Sequence, residues 1–287
     1  MSAPVGLVVR AVGGGPCLVQ DAGRPGHAAI GVGVGGAADR ASYELGNRLV
    51  GNAPGAAAVE VVLGGLEVEA TVHVTVCVTG APAPLHLDGR PEPSGAVLTL
   101  RPGQRLRLGV PASGLRSFLA IRGGVAVAAV LGSRSRDTLA QLGPAPLAPG
   151  DRLALGDAAT GEVLVDAVPP ASYDDRPVLR VVRGPRDGWV RDVERLVTTT
   201  WRIGSSSDRV GLRLEGGGLD PVPARGELPS EGALRGAIQV SPDGRPVVFG
   251  PDHPVTGGYP VVGVVIDADT DRLAQLRPGD ELGFRWV

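Results

Sequence analysis

Short stretches in which apolar and polar residues alternate dominate the hydrophobic pattern of the chain. Residues 71–78 carry valine at every second position, from Val72 to Val78, with threonine, histidine or cysteine between them. A period of two residues is typical of a β-strand that buries one face. Similar short apolar stretches predict further strands at 5–12, 58–62, 85–87, 96–100, 104–108, 117–121, 178–182, 210–214, 236–240, 246–249, 260–266 and 281–285. The pattern therefore predicts a mainly β protein.

Two segments show helical spacing instead. In residues 40–50, Ala41, Leu45 and Leu49 form one apolar stripe, and Asp39 is placed to cap the first turn. Residues 187–200 place five apolar side chains on one face of a helix. We therefore expect a few short helices among the strands.

A nine-residue pattern occurs three times in the sequence. Residues 100–108, 147–155 and 276–284 each begin with leucine, continue through a Pro-Gly turn and end in an alternating strand. A turn and strand repeated in this way is typical of related β units. The simplest interpretation is two related β-barrel units, one ending near residue 156 and the other near residue 285, joined by residues 157–176.

Length and composition limit what these units can do. At 287 residues, with 43% hydrophobic residues and a formal charge of -2, the chain can form about two domains with real cores. The mixed charges give no reason to expect nucleic acid or an anionic membrane surface. The sequence contains no lysine, which excludes a Schiff-base lysine, a P-loop lysine and covalent attachment of biotin to this chain. Any phosphate or carboxylate must be bound by arginine or backbone amides.

The cysteines and the N-terminal residues indicate the compartment. Cys17 and Cys77 are the only cysteines, too few for a disulfide scaffold or a cysteine zinc site, and both lie in apolar strand contexts. The first ten residues lack the charged region and apolar core of a signal peptide, and the longest apolar runs are far shorter than a membrane span. We predict a cytoplasmic location.

A glycine-rich segment, Gly31–Gly36, fits the spacing G-x-G-x-x-G and precedes the first predicted helix. This spacing occurs in dinucleotide-binding loops, where the glycines follow a buried strand. Residues 26–30 are a poor buried strand, and no alternation of strands and helices follows. We therefore do not expect a dinucleotide site, although glycine amides before a helix can bind an anion.

Three further segments combine glycines with polar side chains. Residues 19–26 and 205–214 contain arginines that could clamp a carboxylate or phosphate beside a closely approaching backbone. The alternative for both segments is a turn in which the charged residues pair with each other. The third segment, 227–259, carries its polar groups between glycines at Glu227, Ser230, Glu231, Gln239, Asp243, Asp252, Thr256 and Tyr259. Pure packing does not need so many polar groups in loops, so this segment favours a binding site.

The usual motifs for nucleophilic or metal catalysis are missing from the sequence. There is no G-x-S-x-G motif, neither cysteine has an obvious histidine partner, and the four histidines share no metal-ligand spacing. We expect no metal. Any chemistry would depend on carboxylates, hydroxyls and arginines that position a polar substrate.

At these same segments the sequence resembles the biotin-dependent carboxyltransferase, or allophanate hydrolase subunit 2, family. The matching stretches run in order along the chain: 19–26, 36–39, 47–52, Glu60, 122–124, 131–135, 208–211, 230–231, 236–239, 242–244 and 256–260. The resemblance implies cyclophilin-like folds. We therefore predict a mainly β chain of two cyclophilin-like β-barrel units with a few short helices: an N-terminal β-barrel unit at 1–165 and a C-terminal cyclophilin-like β-barrel unit at 166–287.

The resemblance also implies an activity and partners. A stand-alone chain of this size favours a subunit of an ATP-dependent 5-oxoprolinase, which opens 5-oxo-L-proline to L-glutamate. The implied partners are an allophanate hydrolase subunit 1-type (KipI/PxpB-like) subunit and a lamB/YcsF-type subunit, with ATP used by the complex. Two alternatives stay open: a biotin-dependent carboxyltransferase subunit acting on urea or a similar amide, and a KipA-like regulator that binds an antikinase.

The polar segments supply the candidate site residues for the enzyme hypothesis. We assign catalytic roles to Asp252, Glu231 and Tyr259, because a carboxylate could transfer a proton. Arginines would hold a carboxylate or a phosphorylated intermediate. The predicted substrate-binding residues are Gln20, Asp21, Arg24, Arg209, Arg213, Gln239, Thr256, Gly257 and Gly258.

Overall fold

The computed structural model describes residues 5–222 and 228–287, so Glu227 of the polar segment lies outside the described residues. The chain divides into two compact units. The first comprises residues up to Arg24, Asp39–Asp137 and Gln141–Tyr173, and the second comprises Pro25–Ala38, Thr138–Ala140 and Asp174–Val287. The sequence-based division at 165/166 lies in the segment between the last strand of the first unit and the first strand of the second.

Among the described residues, the first unit contains eleven strands in two antiparallel sheets. They are β1 Val5–Ala11, β2 Cys17–Gln20, β3 Ala58–Val62, β4 Glu67–Ala70, β5 Val74–Gly80, β6 Leu85–Leu87, β7 Arg90–Glu92, β8 Val97–Leu100, β9 Arg105–Leu108, β10 Arg116–Ile121 and β11 Arg152–Ala154. One sheet has the order β11-β1-β4-β9-β6-β7, and the other has the order β2-β3-β10-β5-β8. The sequence predicts a barrel here, and the described strands form two sheets instead. A period of two does not distinguish these folds, because a barrel and a pair of packed sheets both bury alternate residues.

Buried side chains from both sheets form one core in this unit. Val9 and Leu106 come from the six-stranded sheet, and Val59 and Val76 come from the five-stranded sheet. Helix α1, Arg40–Leu49, covers the other face of the five-stranded sheet, with Leu49 packed near Cys77. The strand at β5 is therefore buried on both faces, although the alternating sequence predicts only one buried face.

The second unit is a closed seven-stranded barrel. Its strands are β12 Val178–Arg183, β13 Trp201–Ile203, β14 Gly211–Glu215, β16 Ala237–Val240, β17 Pro246–Phe249, β19 Val261–Val265 and β20 Glu281–Trp286. Their order is β12-β19-β16-β17-β14-β13-β20, and parallel pairing of β12 with β20 closes the ring. Two further strands, β15 Glu231–Gly232 and β18 Thr256–Gly257, pair with each other outside the barrel.

The described helices are short, as the pattern predicts. In α1 the Asp39 carboxylate accepts a hydrogen bond from the amide of Ser42, which caps the first turn. The second unit contains α2 Arg195–Thr198 and α3 Asp267–Leu273. None of the helices within residues 5–222 and 228–287 has the length and apolar character needed to cross a membrane.

The predicted helix at 187–200 is mostly wrong. The segment begins with a 3-10 turn, Asp187–Trp189, and becomes α-helical only at α2. Between them Val190 forms a β-bridge with Pro221, and the Arg191 amide donates to the carbonyl oxygen of Asp220. This pairing with a distant segment overrides the local helical spacing.

The three Pro-Gly repeats adopt the same local structure. Gly103, Gly150 and Gly279 all have positive φ angles, between 87° and 98°, and each precedes a strand. Glycine reaches this region without steric cost, which explains why the turn is repeated as Pro-Gly. The prediction of a mainly β chain with a few short helices is therefore confirmed, and the closed barrel is in the second unit.

Candidate functional site

The outer face of the barrel carries a row of side chains across three neighbouring strands. Arg213 of β14 lies opposite Val247 of β17, and Val247 lies opposite Gln239 of β16. Leu212 and Leu214 turn into the barrel core, so Arg213 between them points outward. Neighbouring strands lie about 4.8 Å apart, which separates the backbones of Arg213 and Gln239 by roughly 10 Å, with Val247 between them.

A cavity of about 320 Å³ lies over this row. Its volume is at the lower end of the range of about 300–1,000 Å³ that small-molecule pockets occupy. Apolar and polar side chains meet there, including Val247, Phe249, Asp208, Arg213, Glu215, Gln239, Asp243, Arg245 and Tyr259. An apolar floor with several convergent polar groups suits a small polar ligand.

The two arginines that line the cavity differ in their surroundings. Arg245 lies 3.4 Å from the carboxylate of Asp243, which also accepts a hydrogen bond from the Ser241 hydroxyl. The hydrogen bond from Ser241 lowers the pKa of Asp243, so this carboxylate is charged at neutral pH. The guanidinium of Arg213 has no hydrogen bond or ion pair with any residue that the structure describes. Arg213 is therefore the cation of the cavity that is available to an anionic ligand.

Gln239 is 8% exposed and is held by the loop that follows β18. Its carboxamide nitrogen donates to the carbonyl oxygen of Tyr259 at 3.0 Å. Gly257 lies against it so closely that a Cβ atom there would be 2.5 Å from the Gln239 nitrogen. Gly257 thus allows the carboxamide to lie where it does, and the carboxamide in turn holds the backbone of Tyr259.

Substitution Gly257→Ala should displace the Gln239 carboxamide. Because the clash is with the end of a flexible side chain, we expect a loss of only about 1 kcal/mol in the free energy of unfolding. The side-chain amide signals of Gln239 in a ¹⁵N-correlated NMR spectrum should shift. Gly258→Ala is the matched control, because a Cβ at Gly258 would meet only the Leu228 carbonyl oxygen at 3.6 Å. Equal spectral changes in both variants would contradict the close approach described here.

A buried ion pair lies beside the cavity in the same unit. Arg209 binds Asp252 through Nε at 2.8 Å and a terminal nitrogen at 3.0 Å, and a terminal nitrogen also donates to the carbonyl oxygen of Gly36 at 2.6 Å. The amide and hydroxyl of Thr138 donate to the same carboxylate at 2.9 and 2.7 Å. Burial raises the pKa of Asp252, but Arg209 and Thr138 together lower it further, so the net shift is downward.

This geometry bears on the predicted roles of the pair. Asp252 is 1% exposed, and both of its oxygens accept hydrogen bonds. A charged carboxylate in this state is suited to holding Arg209 in place and poorly suited to moving a proton. The pair joins the loop before β14, which carries Asp208 of the cavity, to the glycine-rich segment at Gly36.

The remaining predicted residues of the second unit lie around the cavity. Glu231 of β15 forms an ion pair with Arg186, whose hydrogen bonds lower the pKa of Glu231. Thr256 of β18 pairs with Gly232 across the small sheet. Tyr259 is 49% exposed and lines both this cavity and an adjoining one of about 490 Å³. The structure thus brings Arg213, Gln239 and Tyr259 to one cavity, which Glu231 and Thr256 do not line among the described residues.

The sequence matches a known family over most of its length. The family model described as the carboxyltransferase domain, subdomain A and B, matches residues 30–286. The chain belongs to this family. It is 36% identical over 273 residues to the C subunit of 5-oxoprolinase from Escherichia coli (strain K12), in a match that covers 93% of this chain and 86% of that protein. It is 33% identical to the C subunit of 5-oxoprolinase from Haemophilus influenzae, in a match that covers 94% of this chain and 87% of that protein.

Longer proteins also match this chain over part of their length. The chain is 31% identical to the urea amidolyase of Lachancea kluyveri, but it spans only 16% of that protein. Its structure matches the crystal structure of Kluyveromyces lactis urea amidolyase with a TM-score of 0.90 at 27% identity, over all of this chain and 19% of the other. It matches the crystal structure of TTHA0988 with a TM-score of 0.87 at 32% identity, over 99% of this chain and 57% of the other.

The predicted residues of the first unit form a separate cluster in this carboxyltransferase-family chain. The Asp21 carboxylate accepts hydrogen bonds from the hydroxyls of Ser133 and Ser135 at 2.6 and 2.5 Å, and from the amide of Arg134 at 2.6 Å. Arg24 donates to the carbonyl oxygen of Ser135. Asp21, Arg24 and the two serines are almost completely buried. The cluster joins two stretches of the family resemblance, 19–26 and 131–135.

Gln20 and Arg24 keep unused hydrogen-bonding capacity in this cluster. The Gln20 nitrogen donates to the carbonyl oxygen of Arg136 at 2.8 Å, while its oxygen has no partner among the described residues. One terminal nitrogen of Arg24 likewise has no hydrogen bond there and lies 3.9 Å from Asp137. Whether either residue binds substrate stays a prediction.

Sequence reasoning missed the apolar floor of the cavity and Arg245. Val247 and Phe249 belong to a predicted strand, but an alternating pattern does not show which outward positions face a ligand. Phe249 also stacks on the ring of His253, with 5.8 Å between the ring centres. The signal that identifies these residues is the register of three strands, which is not readable from the order of residues alone.

The structure gives no support to a nucleotide loop at Gly31–Gly36 in the carboxyltransferase family fold. A 3-10 turn, Ala28–Ile30, precedes this segment, where a dinucleotide-binding loop follows a strand. The first turn of α1 is already capped by the carboxylate of Asp39. The segment instead accepts the hydrogen bond from Arg209 at Gly36.

Proposed function

We propose that this chain is the C-type component of an ATP-dependent 5-oxoprolinase. The observation that supports this most directly is the extent of the match, which covers 86% and 87% of two proteins named as C subunits of 5-oxoprolinase. The match to the urea amidolyase of Lachancea kluyveri spans only 16% of that protein. A chain that matches most of a subunit is best assigned the role of that subunit.

The proposed reaction breaks the amide bond of the five-membered ring of 5-oxo-L-proline. Water supplies the oxygen of the new side-chain carboxylate, and the ring nitrogen becomes the amine of L-glutamate. A second water hydrolyses ATP to ADP and phosphate. We propose that the enzyme also contains an allophanate hydrolase subunit 1-type (KipI/PxpB-like) subunit and a lamB/YcsF-type subunit, that the complex binds ATP, and that it acts in the cytosol.

Within this chain, the cavity on the barrel face is the proposed place of contact with the small amide substrate. Arg213 offers a positive charge that is unpaired among the described residues, and Gln239 offers a carboxamide beside the apolar Val247. Biotin cannot be attached covalently to this chain, which contains no lysine. The buried Arg209–Asp252 pair would position the loop that carries Asp208.

Carboxyl transfer to urea or a similar amide is the second candidate. The structural match to Kluyveromyces lactis urea amidolyase, with a TM-score of 0.90, favours it. That activity requires a biotinylated carrier protein, because this chain cannot carry biotin itself. Blotting the proteins that copurify with this chain for biotin distinguishes the two candidates.

The deciding experiment is reconstitution with the two partner subunits. The complex should hydrolyse ATP and release glutamate only when 5-oxo-L-proline is present, in a ratio near one to one. Glutamate release without any dependence on this chain would oppose the proposal. A complex that forms but couples no hydrolysis would move the assignment to carboxyl transfer, or to a KipA-like regulator if an antikinase is captured.

A further inference from the structure

The cationic side chains of the second unit differ in how far they are already neutralised. Arg180, Arg186 and Arg209 each lie within 3.2 Å of a carboxylate. Arg213 lines the 320 Å³ cavity and has no such partner among the described residues. Arg213 lies opposite Val247 of the neighbouring strand, and both residues line the cavity, so the positive charge borders an apolar floor.

On the other side of Val247 lies a hydrogen-bond acceptor, the carboxamide oxygen of Gln239. The nitrogen of the Gln239 carboxamide is used by the Tyr259 carbonyl oxygen, which orients the amide group. The carboxamide oxygen of Gln239 accepts no hydrogen bond from the described residues. It is not one of the fully buried side-chain atoms that lack a partner there. Since Gln239 lines the cavity, this oxygen is available to an N–H group there.

The charges around Arg213 limit how much negative charge a bound anion can carry. Asp208, Glu215 and Asp243 also line the cavity, and Arg245 is paired with Asp243. Three carboxylates beside two guanidiniums leave no excess positive charge. A polyphosphate such as ATP would be repelled, whereas a single carboxylate held by Arg213 would add only one negative charge.

We propose that this cavity binds a small cyclic amide that carries one carboxylate. Arg213 binds the carboxylate, the Gln239 carboxamide oxygen accepts the ring N–H, and the ring lies over Val247 and Phe249. Naming 5-oxo-L-proline as this ligand rests on the function proposed above. The chemistry of the subsite itself rests on the available guanidinium and the oriented carboxamide.

The test is equilibrium binding of labelled 5-oxo-L-proline to the reconstituted complex without ATP, so that binding is measured independently of turnover. Arg213→Ala should weaken binding roughly tenfold to a hundredfold, the range expected for a hydrogen bond between charged groups. Arg213→Lys should lose less, because it keeps the charge but not the two-pronged geometry. Arg285→Ala is the control, since Arg285 is exposed on β20 and lies outside the cavity lining.

A second ligand distinguishes recognition from general damage to the fold. 2-Pyrrolidinone has the same ring amide without the carboxylate, so it should bind weakly to the wild type and be little affected by Arg213→Ala. The preference for 5-oxo-L-proline over 2-pyrrolidinone should therefore collapse in Arg213→Ala. A structural role for Arg213 would lower binding of both ligands and leave the preference intact.

The outcomes separate this subsite from the proposed function. Normal binding in Arg213→Ala, with glutamate still released by the wild-type complex, overturns the subsite and leaves the function standing. Carboxylate-dependent binding without glutamate release supports the subsite and overturns the function. Absence of both binding and turnover overturns the subsite and the function. If inorganic phosphate competes with an affinity equal to that of 5-oxo-L-proline, the anion that Arg213 binds is a phosphoryl group, and the subsite is overturned.

Discussion

Substitution Asp252→Asn is expected to destabilise the second unit by about 3–5 kcal/mol, the usual cost of leaving one partner of a buried ion pair uncompensated. Arg209 would keep its positive charge in a site where it is only 5% exposed. The backbone amide of Thr138, which donates to the Asp252 carboxylate, would face a neutral carboxamide, which is a weaker acceptor. The three tryptophans of the chain, Trp189, Trp201 and Trp286, all belong to the second unit, so tryptophan fluorescence during urea unfolding measures this unit alone.

The control for this substitution is Glu281→Gln. Glu281 forms only exposed ion pairs within the described part of the chain, at 3.7 Å to Arg176 and to Arg202. Exposed pairs of this kind contribute about 0–1 kcal/mol, so the urea midpoint should hardly move. Similar losses in both variants would show that the buried pair has no special importance for stability.

The same pair predicts a pH dependence. The pKa of Asp252 is lowered in the folded protein, so its stabilising contribution is present above its unfolded-state pKa and is lost as the pH falls through the folded-state value. The second unit should therefore become less stable in acidic solution. Asp252→Asn should reduce this acid sensitivity, which fluorescence-monitored urea unfolding at neutral pH and near pH 3 would show.

Substitution Asp21→Ala should destabilise the first unit by several kcal/mol. It removes the common acceptor of Ser133, Ser135 and two backbone amides, those of Gly23 and Arg134. Each buried donor left without an acceptor costs about 1–3 kcal/mol, although the contributions within one network do not add fully. Hydrogen exchange of the β10 amides, measured by mass spectrometry, would report on this unit and should become faster.

The control for Asp21 is another aspartate of the first unit. Asp151 is exposed, and its carboxylate accepts a hydrogen bond from the amide of Ala148. Asp151→Ala should cost about 1 kcal/mol, as for the loss of an exposed turn or cap. If Asp21→Ala changed hydrogen exchange no more than Asp151→Ala, the buried cluster would be dispensable for the first unit.

Most of the strands could be predicted from the alternation of residues. Predicted strands at 58–62, 85–87 and 246–249 coincide with β3, β6 and β17 to the residue. The pattern missed six of the described strands, none longer than four residues: β2, β4, β7, β13, β15 and β18. Strands this short have little pattern of their own, and pairing with neighbours decides whether they form.

Three residues of the candidate site could be predicted from the sequence, but their arrangement could not. Arg213, Gln239 and Tyr259 were chosen because they lie in glycine-rich polar segments, and they line one cavity. The same reasoning could not distinguish Arg213 from Arg209, since both follow the same run of serines. Only the folded chain shows that Arg209 is buried against Asp252 and that Arg213 is unpaired in the described structure.

Residue type and short-range spacing were enough to place most strands, to predict the Pro-Gly turns and to exclude lysine chemistry. Three features depend instead on how the chain folds: the closure of β12 against β20, the partners of each arginine and the alignment of Arg213, Val247 and Gln239. The physical reason is that strand register joins residues far apart in the chain, and the free energy of that pairing comes from the whole sheet.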